Sequence, residues 1–263
     1  MNFAPMSFPP DSSLVDDIRP SPNHEPRKGV ARPDILLLHY TGMRTTQAAL
    51  ERLCDPGARV SSHYLVFEDG RIFQLVPEAR RAYHAGESSW EGTTDINSRS
   101  VGIEIGNQGH DFGCPAFPDP QIERLIALCR DIVARWSIAP RRVLAHSDVA
   151  PNRKRDPGEA FPWPRLAEAG VGLWVEPAPI AGGDALRPGD HGAEVTKLQR
   201  MLADYGYGVT ANGSYDAMTQ EVVAAFQRHF RPGRVDDVAD GSTVKTLERL
   251  LAVKNSVAAP IPR

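Results

Sequence analysis

The chain has 263 residues, of which 41% are hydrophobic and 24% charged, with a formal net charge of -3. That length holds one ordinary domain plus a smaller one, and the balance is that of a folded globular protein. The slight acidity argues against nucleic acid as a partner, because phosphate binding needs a basic face. No run approaches the roughly 18 apolar residues of a membrane-spanning helix. The three cysteines, Cys54, Cys114 and Cys129, form no CxxC pair, so they read as core or loop residues rather than a disulfide framework or a thiolate zinc site.

The start, "MNFAPMSFPPDSSLVDDIRP", has neither a basic head nor an apolar core. No signal peptide is therefore read, and a cytoplasmic location is expected; the alternative is the periplasm or cell envelope by another route or a different start. Prolines at 5, 9, 10, 20, 22 and 26 make residues 1–29 an extended arm. "DILLLHYT" has the continuous apolar character of a buried strand and ends at His39. "TTQAALERL" is helical, and "HYLVFEDGRIFQLV" carries a hairpin turn at Glu68-Asp69-Gly70-Arg71. "SVGIEIG" alternates, with Val101, Ile103 and Ile105 on one face and Gly102, Glu104 and Gly106 on the other. "PDPQIERLIALCRDIVARW" is an amphipathic helix, with Asp119 as its cap and Ile122, Leu125, Ile126, Cys129, Ile132, Val133 and Trp136 on its apolar face. "RRVLA" is a further strand, ending at His146.

These elements predict an α/β domain over residues 30–174, with a mixed central β-sheet flanked by helices. Residues 175–183 have the Pro, Gly and Ala content of a linker. Residues 184–252 predict a small three-helix bundle, with Val195, Leu198, Leu202 and Tyr205 on one helix and Val222, Phe226 and Phe230 on the next. A short tail, 253–263, follows. The linker implies a module that can be removed without unfolding the larger domain.

Two strands thus end in histidine, and ligands in such sheets gather beyond strand ends. With Asp156, ten residues after His146 on the proline-stiffened stretch "AHSDVAPNRKRDPG", His39 and His146 could complete a three-ligand metal site. Glu104 suits proton transfer, because Gly102 and Gly106 beside it leave room for a substrate. Lys154 suits charge stabilisation: in an extended loop it points the same way as Asp156, while Arg153 and Arg155 point away. Each residue also has a plainer reading. Strand-end histidines often only pack, and Arg153-Lys154-Arg155 is by default a solvated basic patch.

As an ordered set, "ILLLHYT", "SSHYLVFEDG", "AYHAG", "SSWEGTTDINSRSVGIEIGN" and "AHSDVAPNRKRDPGEAFPWPRL" resemble the zinc N-acetylmuramoyl-L-alanine amidases of the AmpD/AmiD type, which share the peptidoglycan recognition protein fold. The resemblance implies zinc (Zn2+) on His39, His146 and Asp156, catalytic roles for Glu104 and Lys154, and substrate contacts from His63, His84, Trp90 and Asn97. Tyr83 stands where the family often has tryptophan. The segment from Leu186 to Phe230 resembles a three-helix peptidoglycan-binding module. The implied activity is hydrolysis of the amide between N-acetylmuramic acid, or its anhydro form, and the L-alanine of the stem peptide. Peptidoglycan or muropeptide would be the only partner, and a monomer is expected. Two other classes fit the same motifs less well: a recognition protein that binds without cutting, which would lack a ligand, and a metallopeptidase of the stem peptide. His24, His110, His191 and His229 lie outside the matching motifs and are given no role.

Overall fold

The computed structural model describes residues 8–258. In chain order the elements are β1 (Asp17–Ile18), β2 (His24–Pro26), β3 (Ile35–Tyr40), α1 (Thr46–Cys54), β4 (Tyr64–Val66), β5 (Ile72–Gln74), β6 (Arg80–Ala82), α2 (Ile96–Arg99), β7 (Ser100–Ile105) and α3 (Asp119–Trp136). They continue with β8 (Val143–Ala145), α4 (His146–Val149), α5 (Trp163–Glu168), β9 (Ala185–Leu186), α6 (Ala193–Tyr205), α7 (Ala217–Phe230), β10 (Ala239–Asp240) and α8 (Gly241–Ala258). The main sheet runs β1-β5-β4-β7-β3-β8 and is mixed, with β4 and β5 antiparallel and the other neighbours parallel.

Alternation along β3 divides the core. Leu36 and Leu38 face α3, packing with Val101, Ile103, Leu125 and Ile132. Ile35 and Leu37 face the other way, and His39, two residues on, shares their side of the pleat. That second side has two separate covers. Over β4 and β5 lie Leu50 and Leu53 of α1, against Leu65 and Phe73. Over β3 and β8 lies the helical module, whose Val195, Leu198, Leu202 and Phe226 form one continuous core with Leu37, Leu144, Trp90 and Val149.

The structure revises three expectations. The N-terminal arm is docked along its described length from Asp11: β1 extends the main sheet alongside β5, β2 pairs with β6, and Arg27 donates to the Glu78, Ser98 and Ser100 carbonyls. Asp119 is the first helical residue of α3 rather than its cap, and the cap position falls to Pro118, a shift of one position. The module, finally, is not a free appendage. Gly206 lies so close to Trp90 that an added Cβ would sit 2.6 Å from the indole ring, and the Glu91 amide donates to the Gly206 carbonyl at 2.8 Å. Asp148, fully buried on α4, accepts from Tyr207 Oη at 2.7 Å and from His229 Nδ1 at 2.7 Å. The linker is held as well, since Ala178 exchanges hydrogen bonds with Ser242 and Thr246 of α8.

Removing one hydrogen-bond donor from a buried carboxylate typically costs about 1.5–3 kcal/mol. His229→Ala, which leaves Asp148 its Tyr207 and Ala145 donors, is therefore expected to lower unfolding free energy by about 2 kcal/mol, while Lys197→Ala, at an exposed position of α6, changes it little. Deletion from residue 184 onward is expected to abolish cooperative thermal unfolding, because it uncovers Trp90, Val149 and the Leu37 face. A truncated chain that melts as sharply as the whole protein would restore the separable-module reading.

Candidate metal centre and active site

The gap between the two covers exposes the polar end of the sheet. His39 on β3 lies directly opposite Glu104 on β7. His146 opens α4 immediately after β8, rather than closing a strand as expected, and Asp156 reaches back from the following loop. His39 Nδ1 lies 2.8 Å from His146 Nδ1 and 3.1 Å from Asp156 Oδ2, and His146 Nδ1 lies 2.9 Å from the same oxygen. All three side chains are buried.

The outer nitrogens decide what can occupy that centre. His146 Nε2 donates to the Ala85 carbonyl at 3.0 Å. His39 Nε2 donates to His84 Nδ1 at 3.0 Å, His84 Nε2 donates to Ser100 Oγ at 3.2 Å, and Ser100 Oγ donates to the Ile96 carbonyl at 2.7 Å. Every imidazole proton in this arrangement points outward. The two Nδ1 lone pairs and the carboxylate are left facing one another with no hydrogen between them, which is the donor set of a divalent cation held by two histidines and an aspartate. Burial and the neighbouring His146 lower the His39 pKa to about 4, so the imidazole stays neutral. Burial alone would raise the Asp156 pKa, but the His146 and His39 contacts outweigh it and hold the carboxyl below its usual range.

Glu104 faces this centre, and its Oε2 is buried with no hydrogen-bond partner among the described residues. Burial, then the Asp156 charge, push its pKa well above the ordinary value, with Lys154 acting in the opposite direction. Lys154 is half-buried and lines the same cleft of about 480 Å³ with His84 and Tyr83.

Several predicted residues act differently from expectation. The spaces over Gly102 and Gly106 are filled: a Cβ there would meet the His84 ring at 2.5 Å and Thr46 Oγ1 at 2.2 Å. The glycines therefore admit neighbouring side chains rather than substrate. His63 is fully buried and lies outside the cleft lining. Its Nδ1 accepts from the Gly102 amide at 2.9 Å and its Nε2 donates to the Arg80 carbonyl at 3.0 Å, so it stitches β7 to β6. Trp90 is 1% exposed and packs edge-on against Tyr205 and Tyr207, so it belongs to the module interface. His84 does reach the cleft. Asn97 borders a neighbouring part of the cavity, where its Oδ1 accepts from the His84 and Ala85 amides and fixes the loop carrying both. Arg153 does not point away. It donates to Ala85 O at 2.9 Å, the carbonyl that also orients His146, and to Glu87 O. Arg155, by contrast, reaches only Asp111, at 3.7 Å. Ser100 and the Ala85 carbonyl were invisible in the sequence, because a serine on a strand and a backbone oxygen carry no distinguishing pattern.

Comparison with known proteins places this architecture. Residues 29–159 match the N-acetylmuramoyl-L-alanine amidase family and residues 191–247 a peptidoglycan-binding domain family. The chain is 39% identical to N-acetylmuramoyl-L-alanine amidase AmiD of Escherichia coli, across 84% of this chain and 83% of that protein. It is 34% identical to 1,6-anhydro-N-acetylmuramyl-L-alanine amidase AmpD of Salmonella typhimurium, across 60% of this chain and 92% of AmpD. The structure of E. coli AmiD with anhydro-N-acetylmuramic acid-L-Ala-D-gamma-Glu-L-Lys superposes with a TM-score of 0.72 at 38% identity, covering 89% of this chain and 93% of that one. That of AmpDh3 from Pseudomonas aeruginosa with anhydromuramic pentapeptide gives 0.70 at 30%, covering 86% and 94%. Fold and site together are those of a cell-wall amide hydrolase. The chain belongs to the N-acetylmuramoyl-L-alanine amidase family, and its reaction is hydrolysis of the amide between N-acetylmuramic acid and the L-alanine of the stem peptide.

The shared carbonyl generates a prediction. Groups hydrogen-bonded to a metal ligand typically contribute about 10–100-fold in affinity, and Arg153 acts one step further out, on the carbonyl that orients His146. Arg153→Ala should weaken divalent-metal binding by about tenfold, measured by competition with a chromophoric chelator, and Arg155→Ala should leave it unchanged. Equal behaviour of the two variants would return Arg153 to the solvated basic patch.

Proposed function

We propose that His39, His146 and Asp156 hold a zinc ion, that Glu104 and Lys154 carry the proton and charge chemistry around it, and that anhydromuramyl peptides are among the substrates. The observation that carries the reading is the convergence of three proton-free donor atoms at 2.8–3.1 Å beside a carboxylate with an unpartnered oxygen. The anhydromuramyl peptides bound to E. coli AmiD and to AmpDh3 support the choice of substrate.

Zinc, when bound, supplies Lewis acidity that makes a water more acidic and a carbonyl more electrophilic. The chain's own residues do the rest. Glu104 takes a proton from the attacking water. Its raised pKa makes it a stronger base than an ordinary carboxylate, and once protonated a competent acid. It then delivers that proton to the L-alanine nitrogen as the C–N bond breaks. The Lys154 ammonium offers a donor to the carbonyl oxygen as that oxygen becomes negative. Packing around the buried His39 and His146 keeps both imidazoles from rotating away.

Removal of metal by chelation, verified by elemental analysis, is expected to abolish release of stem peptides beginning with L-alanine, and added zinc to restore it. Undiminished release from metal-free protein would falsify the reading. Glu104→Ala should retain zinc and lose turnover by about a hundredfold or more, whereas near-normal turnover would remove Glu104 from the chemistry. Lys154→Ala should lower kcat by about a hundredfold with little change in KM, since it acts on the developing oxyanion. A variant that mainly raises KM would make Lys154 a binding residue. Mass spectrometry of the products separates this activity from stem-peptide proteolysis.

A further inference from the structure

A second set of side chains brings nitrogen, sulfur and oxygen donors together outside the centre described above. His110, Cys114 and Glu159 present ligand atoms that all lie within 4.8 Å of one another. All three are half-buried. His110 Nε2 lies 3.0 Å from Glu159 Oε2, and its Nδ1 lies 2.9 Å from the Tyr40 hydroxyl, which orients the ring.

The backbone is shaped around this cluster. Cys114 has φ 49 and follows Gly113 at φ 84, so the sulfur is presented from a left-handed turn, an uncommon conformation for a non-glycine residue. On the facing loop Gly158 has φ 85, and a Cβ there would meet His110 Cε1 at 3.0 Å and Cys114 Sγ at 3.5 Å. Glycine lets that loop close over the pair. Burial raises the Cys114 pKa and Glu159 adds to the effect, while the Arg155 charge opposes it. The free sulfur is therefore a thiol at neutral pH.

We propose that His110, Cys114 and Glu159 form a second metal site, for zinc or another borderline divalent cation, with one imidazole, one thiolate and one carboxylate ligand. Thiolate and carboxylate together neutralise a dication, and the mixed nitrogen, sulfur and oxygen set suits zinc better than calcium or magnesium, which prefer oxygen alone. The proton balance closes. Cys114 releases its thiol proton to solvent. The imidazole stays neutral by moving its proton from Nε2 to Nδ1, where the Tyr40 oxygen accepts it. No redox partner is needed. Because Glu159 lies three residues after Asp156 and His110 is hydrogen-bonded to Tyr40, the neighbour of His39, an ion here ties the loop that carries Asp156 to a turn held against the His39 strand. The site's existence does not depend on the hydrolytic reading of that centre.

Cobalt(II) loading of the metal-free, full-length protein tests this directly. The His39, His146 and Asp156 set contains no sulfur, so thiolate-to-cobalt charge-transfer absorption in the near ultraviolet reports the second site alone. The expected result is two cobalt ions per chain together with that absorption. Cys114→Ser should remove the absorption and one ion. Glu159→Gln, which keeps the side-chain shape and a hydrogen-bond acceptor for His110, should weaken the same absorption's cobalt dependence tenfold or more. His39→Ala should lose one ion and keep the absorption, which separates this site from any failure at the first. Saturation of the unmodified protein at one ion without the thiolate absorption overturns the proposal. So does a thiolate absorption that persists in Cys114→Ser, since it would then arise from Cys54 or Cys129.

Discussion

The period-two alternation of β3 is the constraint on which the rest depends. Six residues, Ile35 to Tyr40, are buried or nearly so, and they send Leu36 and Leu38 to one face and Ile35, Leu37 and His39 to the other. A shift of one residue would place His39 under α3, away from His146 and Asp156, and would turn Leu38 into the cleft. The register of β7 is set by the same rule, because parallel pairing puts Glu104 opposite His39 and Gly102 opposite Leu37. His39 and Glu104 therefore share one edge of one face, fixed by hydrophobic burial further down the same strands.

Most of this frame was legible in the sequence, because it rests on periodicity. The strand alternation, the α3 stripe, the hairpin at Gly70 and the three helices of the module all express local patterns, and the ordered motifs pointed to the residues of the first centre. What stayed hidden depends on packing between distant segments. His63 and Trp90 lie in motifs beside true cleft residues, yet one ties β7 to β6 and the other meets Tyr205 and Tyr207, more than a hundred residues away in the chain. Gly102 and Gly106 announced space correctly, but not what fills it: His84 and Thr46 arrive from other elements. Arg153 reads as one of three basic residues in a row, and only the folded loop shows its guanidinium on the Ala85 carbonyl.

The imidazoles of the first centre are oriented through two separate routes, and the difference has consequences. His39 depends on a chain of side chains, through His84 and Ser100 to the Ile96 carbonyl, all within the sheet domain. His146 depends on a single backbone oxygen and on the short helix α4. Asp148 secures the start of that helix by accepting from the Ala145 amide at 2.8 Å, and the same carboxylate is held by Tyr207 and His229 of the module. A four-residue helix has too few internal hydrogen bonds to hold itself. Its geometry is therefore supplied from outside, partly by the sheet domain through the Ser89 amide and the Asp156 carbonyl and partly by Tyr207 and His229 of the module. The module's packing thus bears on the position of His146, and its buried face is continuous with the core beneath the cleft rather than separated from it by the flexible linker that its composition suggests.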